Sequence, residues 1–222
     1  MAERISDPPD PGAAAAGVGP MRGRFIVFEG GEASGKSTQA AVFADRLGAL
    51  LTREPGGTEV GRALRSLVLD PAAGTLDPRA EALLMLADRA QHVAEVVAPA
   101  LARGADVVSD RFSGSTLAYQ GYARGLDVAD LTRLSAWASG GVEPDLVILL
   151  DVTAAVAVAR LGRNLDRMEQ AGAAFHRRVI EGYHTLAAAD PVRWRVVDGT
   201  GTPDEVSARV TVAFEEWPGA AR

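Results

Sequence analysis

The chain has 222 residues with a formal net charge of −6, 47% hydrophobic and 23% charged residues, enough for one domain with a real core. The acidic balance argues against binding nucleic acid as the main task, and no uninterrupted apolar run approaches the ~18 residues of a membrane span. There is no cysteine, which excludes disulfides and thiolate metal sites, and the expected location is cytoplasmic.

Residues 1–20 contain Pro8, Pro9, Pro11 and Pro20 and the run Ala13–Ala16, without apolar periodicity and without the basic start and long apolar stretch of a secretory signal. They read as a disordered extension, with Met21 as an alternative start and residues 21–222 as the folded domain. Phe25–Phe28 is the first apolar run, followed by Val107–Val108, Leu146–Leu150 and Val196–Val197, with Ala49–Leu51 as a further candidate. Such short continuous runs suit strands buried on both faces. Between them lie helix signals. Asp77 is placed to N-cap a helix with Pro78 at its first position, and Pro99 is expected to kink or break that helix. Gly104 and Gly140-Gly141 mark helix ends, and Asp127 and Thr153 are further N-cap candidates. Thr202-Pro203-Asp204-Glu205 reads as a capping box. Alternating strands and helices predict an α/β fold, a parallel sheet with helices on both faces. Trp137, Trp194 and Trp217 read as packing residues, and His92, His176 and His184 lack metal-ligand spacing.

The chemistry is most legible at Gly30-Gly31-Glu32-Ala33-Ser34-Gly35-Lys36-Ser37, which fits G-x-x-x-x-G-K-[ST] directly after a strand and before a helical pattern, and which with Thr38 is the candidate ATP-binding segment. Glycines let several backbone N–H groups turn toward one anion, and the following helix presents its positive end. Lys36 is placed to reach the outer phosphates of ATP, and Ser37 offers a hydroxyl to Mg²⁺. Lys36 is also the only lysine among 23 basic residues, so a compact ammonium stands where arginine serves everywhere else. The chain has no Asn-Lys-x-Asp guanine reader, and Val152, not Glu, follows Asp151 after the Leu146–Leu150 run. Both absences favour a kinase over a GTPase or an ATP-hydrolysing motor.

Further segments make the reading specific: Phe28-Glu29-Gly30, Thr52-Arg53-Glu54-Pro55-Gly56-Gly57-Thr58, Ala87-Asp88-Arg89-Ala90-Gln91-His92, Asp110-Arg111-Phe112, Ser115-Thr116-Leu117-Ala118-Tyr119-Gln120-Gly121 and Asp166-Arg167-Met168-Glu169. From about Arg24 onward the chain resembles the thymidylate kinases, P-loop enzymes that phosphorylate dTMP to dTDP. The resemblance implies a five-stranded sheet in the order 2-3-1-4-5, ATP as donor, Mg²⁺, and a homodimer. It also implies residue roles. Glu32 would hold the acceptor's 3′-hydroxyl, Arg53 and Arg111 its phosphate, and Arg89 the thymine carbonyl edge. Thr116 and Gln120 would face the base, Tyr119 would crowd a ribose 2′-position, and Asp110 would join the metal site with Ser37. A lid over ATP would span roughly 160–170. Because Ala33 is not basic, the resemblance is to the bacterial type, which draws its cations from the lid; Arg160, Arg163 and Arg167 are the candidates.

The chain departs from its relatives at Met85, which stands where they carry the thymine-stacking aromatic, four residues before Arg89. Phe112 replaces a frequent Tyr, and the lid is short. Gly199-Thr200, after the last strand, is the candidate for the adenine edge. Two rival readings remain at this stage: a nucleoside monophosphate kinase with another acceptor, and a P-loop nucleotide-binding regulator with little turnover.

Overall fold

A computed structural model describes residues 22–162 and 165–221. The expected extension over 1–20, Met21 and the lid candidate Arg163 lie outside the described residues. Five parallel strands form one sheet in the order β2-β3-β1-β4-β5, as the resemblance implied. They are β1 (Phe25–Glu29), β2 (Leu50–Arg53), β3 (Val107–Asp110), β4 (Leu146–Asp151) and β5 (Trp194–Asp198).

The alternation of side chains along each strand divides the core into layers. Ile26, Phe28, Val108, Ile148 and Leu150 point to one face, where α1 (Lys36–Leu47) and α9 (Pro203–Glu215) cover them with Phe43, Ala44, Val210 and Phe214. Phe25, Val27, Val107 and Val147 point to the other face and pack against Val93, Val97 and Leu101. Leu149, also on that face, meets Tyr119, Phe175, Val179 and Tyr183 from the Leu117–Ala123 segment and from α8 (Ala173–Ala189). Both faces are thus closed, which is why the central strands read as unbroken apolar runs.

The helix-start signals hold. Asp77 accepts from Arg79 N at 2.9 Å to open α3 (Pro78–His92), and Asp127 accepts from Asp130 N at 2.8 Å to open α6 (Val128–Ala138). Thr153 caps α7 (Ala154–Arg160), and Thr202 and Glu205 form the reciprocal capping box of α9. The remaining helices are α2 (Glu59–Leu69), α4 (Ala98–Ala102) and α5 (Ser113–Thr116). No helix among the described residues is long and apolar enough to cross a membrane.

One expectation is met in a particular form and one changes. The helix that starts at Pro78 loses its α pattern just before Pro99. It widens into a π-helical stretch over Val93–Val97, where Ala98 N bonds back to Val93 O, and then resumes as α4 with Pro99 in its first turn. Proline has no N–H to give to the preceding turn and its ring crowds the carbonyl four residues back, and the π-helical widening upstream makes room for both. Trp137 is not a packing residue: it is 81% exposed. On α6 the buried positions are Leu131, Ser135 and Ala138, and Trp137, two residues past Ser135, points about 200° away from it. Trp217 is buried, and Trp194 packs partly against the core, as expected.

The C-terminal ends of β1, β2 and β3 lie side by side, with Phe28 and Arg53 both in register with Asp110. That edge of a parallel sheet is where ligands gather in open α/β folds, and the chemistry-bearing residues converge there.

Candidate active site

The glycine loop runs from the end of β1 to the start of α1. Gly30 has φ of 151° and Gly35 of 92°, and a side chain on Gly30 would meet Leu150 O at 2.6 Å and Ser34 Oγ at 2.7 Å. The backbone therefore demands glycine there. Lys36 is buried and donates from Nζ to Gly31 O at 2.9 Å, so its ammonium lies folded over its own loop. Burial lowers its pKa, and the positive charge of Arg111 adds to that. Ser37 Oγ donates to Asp110 Oδ2 at 2.5 Å, while Asp110 Oδ1 is buried without a hydrogen-bond partner among the described residues. An orphaned carboxylate oxygen beside a hydroxyl is an all-oxygen donor set, which fits a hard divalent cation such as Mg²⁺.

Earlier in the loop, Glu32 meets the residues that follow β3. Its Oε1 accepts from Arg111 Nη2 at 3.0 Å and from the Tyr119 hydroxyl at 2.5 Å. Burial works to raise the Glu32 pKa, but the cations Arg111 and Lys36 outweigh it and hold the carboxyl at about 2. Arg111 has φ of 73°, a left-handed conformation that a long side chain adopts only where its surroundings compel it. Its other nitrogen, Nη1, donates to Gly30 O, Ser115 Oγ and the Tyr183 hydroxyl, at 3.1, 3.1 and 3.2 Å.

Glu29 explains why that conformation persists. It is fully buried, and its Oε1 accepts from Phe112 N at 3.0 Å and Ser115 N at 2.9 Å. Its Oε2 accepts from Ser115 Oγ at 2.6 Å and the Tyr183 hydroxyl at 2.9 Å. The last residue of β1 thus ties down the start of α5, on the far side of Arg111. A side chain at Gly114 would meet Glu29 Oε1 and Trp194 at 2.8 Å each, so the tie also needs that glycine.

A cavity opens beside this cluster. It brings together Glu32, Met85, Arg89, Arg111, Thr116, Tyr119 and Gln120, seven of the residues named from the sequence. Arg89 is buried; its Nη1 donates to Thr116 Oγ1 at 3.0 Å, and its Nη2 pairs with Glu54 Oε2 at 2.8 Å. Its Nε is buried with no hydrogen-bond partner among the described residues. Glu54 Oε1 in turn sits 2.9 Å from His92 Nδ1, and His92 Nε2 sits 2.6 Å from Thr52 Oγ1. Asp88 Oδ1 accepts from Gly56 N at 2.9 Å; burial and then the charge of Glu54 push the Asp88 carboxyl up to about 6. These contacts tie the Arg53–Gly57 turn to α3 and fix the guanidinium of Arg89 at the cavity wall.

Other residues named from the sequence lie elsewhere. Arg53 is exposed and lines a neighbouring cleft with Ser37 and Asp110. Arg160, at the end of α7, donates to Gly199 O at 3.1 Å and Gly201 O at 3.2 Å, beside a third cleft that also touches Gly35, Thr38 and Gln39. Arg167 turns the other way, to Val68 O at 2.7 Å and Glu81 at 2.7 Å. Neither arginine pairs with Glu32, although Arg160 Nη1 lies close to Gly35. His92 is a buried network residue, His184 pairs with Asp151 at 3.3 Å, and His176 Nε2 lies 3.1 Å from Glu169 O.

Sequence reading missed Glu29, Tyr183 and Arg65. Arg65, on α2, lines the cavity with Asp166 and donates to Pro55 O at 3.1 Å, with no carboxylate paired to it among the described residues. Burial and the charge of Arg53 lower its pKa, the mark of a cation placed near others. Glu29 carried a signal, since a carboxylate closing an apolar strand must be satisfied by whatever follows the neighbouring strand. Arg65 and Tyr183 sit in ordinary helical patterns and carried none.

The family model described as "Thymidylate kinase" matches residues 28–210. A thymidylate kinase of Pelotomaculum thermopropionicum is 47% identical over 204 residues, covering 88% of this chain and 94% of that protein. One from Synechococcus sp. (strain JA-2-3B'a(2-13)) is 50% identical over 198 residues, covering 86% and 94%. Among solved structures, the crystal structure of thymidylate kinase from Ehrlichia chaffeensis superposes with a TM-score of 0.73 at 30% identity, covering 87% of this chain and 99% of that one.

Proposed function

The chain belongs to the thymidylate kinase family and is an ATP-dependent dTMP kinase, and from that premise we propose how its own residues divide the work. ATP and dTMP meet at Glu32: the loop that would cradle the donor phosphates also forms a wall of the acceptor cavity. That shared residue is the observation that carries the reading. Arg111 and Arg65 draw the acceptor phosphate, a dianion suited to planar bidentate donors. Arg53 stands close enough to Arg65 to depress its pKa and adds to the same field. Lys36 swings from Gly31 O to the transferring phosphoryl group. Ser37 and Asp110 would hold Mg²⁺, which would neutralise charge on the donor phosphates. Transfer is direct and in line, without a covalent enzyme intermediate, since positioning and charge supply the catalysis.

Around the base, Arg89 donates to a carbonyl edge, Met85 lies against the ring, and Thr116 and Gln120 complete the polar contacts. Tyr119 stands by the sugar with its hydroxyl on Glu32. The segment 160–170 serves as the lid. We read Arg160 as closing the adenine side, because it holds the Gly199–Gly201 loop. The enzyme works in the cytoplasm. It acts as a homodimer: Leu67, Leu83, Leu134 and Trp137 are exposed on the adjoining helices α2, α3 and α6, a run of apolar surface that suits a second copy.

ADP release measured with ATP-Mg²⁺ against dTMP, dUMP, UMP, CMP, AMP and GMP tests the assignment. Preference for dTMP is the expected result. Preference for another monophosphate would point to a different acceptor, and no acceptor-dependent turnover would point to a regulator.

A further inference from the structure

One buried carboxylate beside the acceptor cavity has no part in phosphoryl transfer. Glu81, in the first turn of α3, is fully buried two turns before Arg89. Its Oε2 pairs with Arg167 Nη2 at 2.7 Å and Arg124 Nη2 at 3.1 Å. Its Oε1 accepts from Gln120 Nε2 at 2.9 Å and Arg124 Nε at 3.2 Å. Burial works to raise its pKa, but hydrogen bonds from Arg124, Gln120 and Arg167 outweigh that and lower it, so Glu81 is ionised. An ionised carboxylate only accepts. Gln120 must therefore offer it the NH₂ end of its amide, and the two ends of that amide cannot exchange at equal cost. The carbonyl Oε1 has no hydrogen-bond partner among the described residues, and Gln120 lines the acceptor cavity.

We propose that Glu81 is a positioning residue for base selection: by fixing the Gln120 amide it keeps a carbonyl oxygen facing the cavity, so the site accepts a pyrimidine whose ring nitrogen carries a hydrogen. Thymine and uracil offer that N–H. Cytosine has a lone pair at the same place and would set oxygen against nitrogen with no proton between them. A polar site that pairs with one donor pattern rejects the opposite pattern strongly, because its own buried group is left unmatched. The cavity's second polar wall agrees, since Arg89 presents only donors and suits a carbonyl edge.

The inference rests on the dTMP assignment, and the experiment separates the two. The wild-type enzyme is first assayed on dTMP, dUMP and dCMP; failure to prefer dTMP over dCMP would overturn the assignment itself. Glu81→Gln lets the amide at Gln120 turn over, because an amide partner both donates and accepts. The kcat/KM ratio of dTMP to dCMP should then fall at least about tenfold, while the ratio of dTMP to dUMP and the KM for ATP stay unchanged. The double variant Glu81→Gln/Gln120→Glu restores an acceptor on the cavity side, and should return the dTMP to dCMP ratio to within about threefold of wild type. A purely structural Glu81 would lower stability and turnover on all three substrates in proportion, and an unmoved ratio overturns the proposal. If Glu81→Gln does not fold, Glu81→Asp carries the test, since it keeps a carboxylate for the two arginines but draws it back from the Gln120 amide. Loss of dTMP over dCMP preference supports the proposal, and a retained preference refutes it.

Discussion

Met85→Ala is the substitution that best tests how this chain departs from its relatives. Met85 precedes Arg89 by four residues on α3, so the two side chains share a helix face, and both line the acceptor cavity. The core-facing positions of the same helix are Ala82 and Leu86, both buried, whereas Met85 is only partly buried. Truncating a fully buried methionine would cost about 2–5 kcal/mol of stability; at this half-buried position most of that loss should not appear. A thioether against an aromatic ring contributes about 0.3–1.5 kcal/mol. Converted through RT, that is a rise of about 2- to 13-fold in KM for dTMP when Met85 becomes Ala. KM for ATP and Tm should barely move, and Met85→Phe should retain activity because a ring restores the flat contact. Steady-state kinetics on both substrates, together with a thermal melt, decide the matter. A large fall in Tm with the KM for dTMP unchanged would show Met85 to be a core residue, and would leave base recognition to Arg89, Thr116 and Gln120.

Lys36→Ala should leave the fold intact and cut kcat by about 10²–10³, the effect of losing one donor to the transition state; near-normal kcat would remove that lysine from the reaction. Among Arg160→Ala, Arg163→Ala and Arg167→Ala, at least one should lower kcat more than it raises either KM, the sign of a contact made in the transition state. Arg160→Ala should act chiefly on the KM for ATP, given its hold on Gly199 and Gly201, and wild-type kcat in all three variants would leave Arg111 as the transferring-group cation. Tyr119→Ala should raise activity on ribo-TMP relative to dTMP, measured as a ratio of kcat/KM, and an unchanged ratio would confine Tyr119 to holding Glu32. Trp137→Glu places a charge on the exposed α6 surface and should shift sedimentation toward the monomer; an unaltered oligomeric state would put the contact on another face.

Whatever is local could be read from the residues alone. A glycine-rich turn between a strand and a helix needs only its own residues to become an anion cradle, so Gly30–Ser37 was legible without a fold. The same holds for the caps at Asp77, Asp127, Thr153 and Thr202, where one side chain satisfies an N–H two or three residues on. Apolar runs marked the buried strands because both faces of the sheet are covered. Tertiary structure decided the rest, because it depends on residues far apart in the chain and on direction. Glu29 meets Ser115 and Tyr183 across 86 and 154 positions, and no periodicity encodes that meeting. Trp137 looked like packing material by type and turned out exposed, since burial follows the angle around α6 and not the residue's hydrophobicity. The lid arginines looked equivalent in sequence, yet Arg160 and Arg167 reach opposite partners, the Gly199–Gly201 loop and Glu81. A guanidinium is long enough to serve several anions or carbonyls, and which of them it meets is a property of the folded surroundings alone.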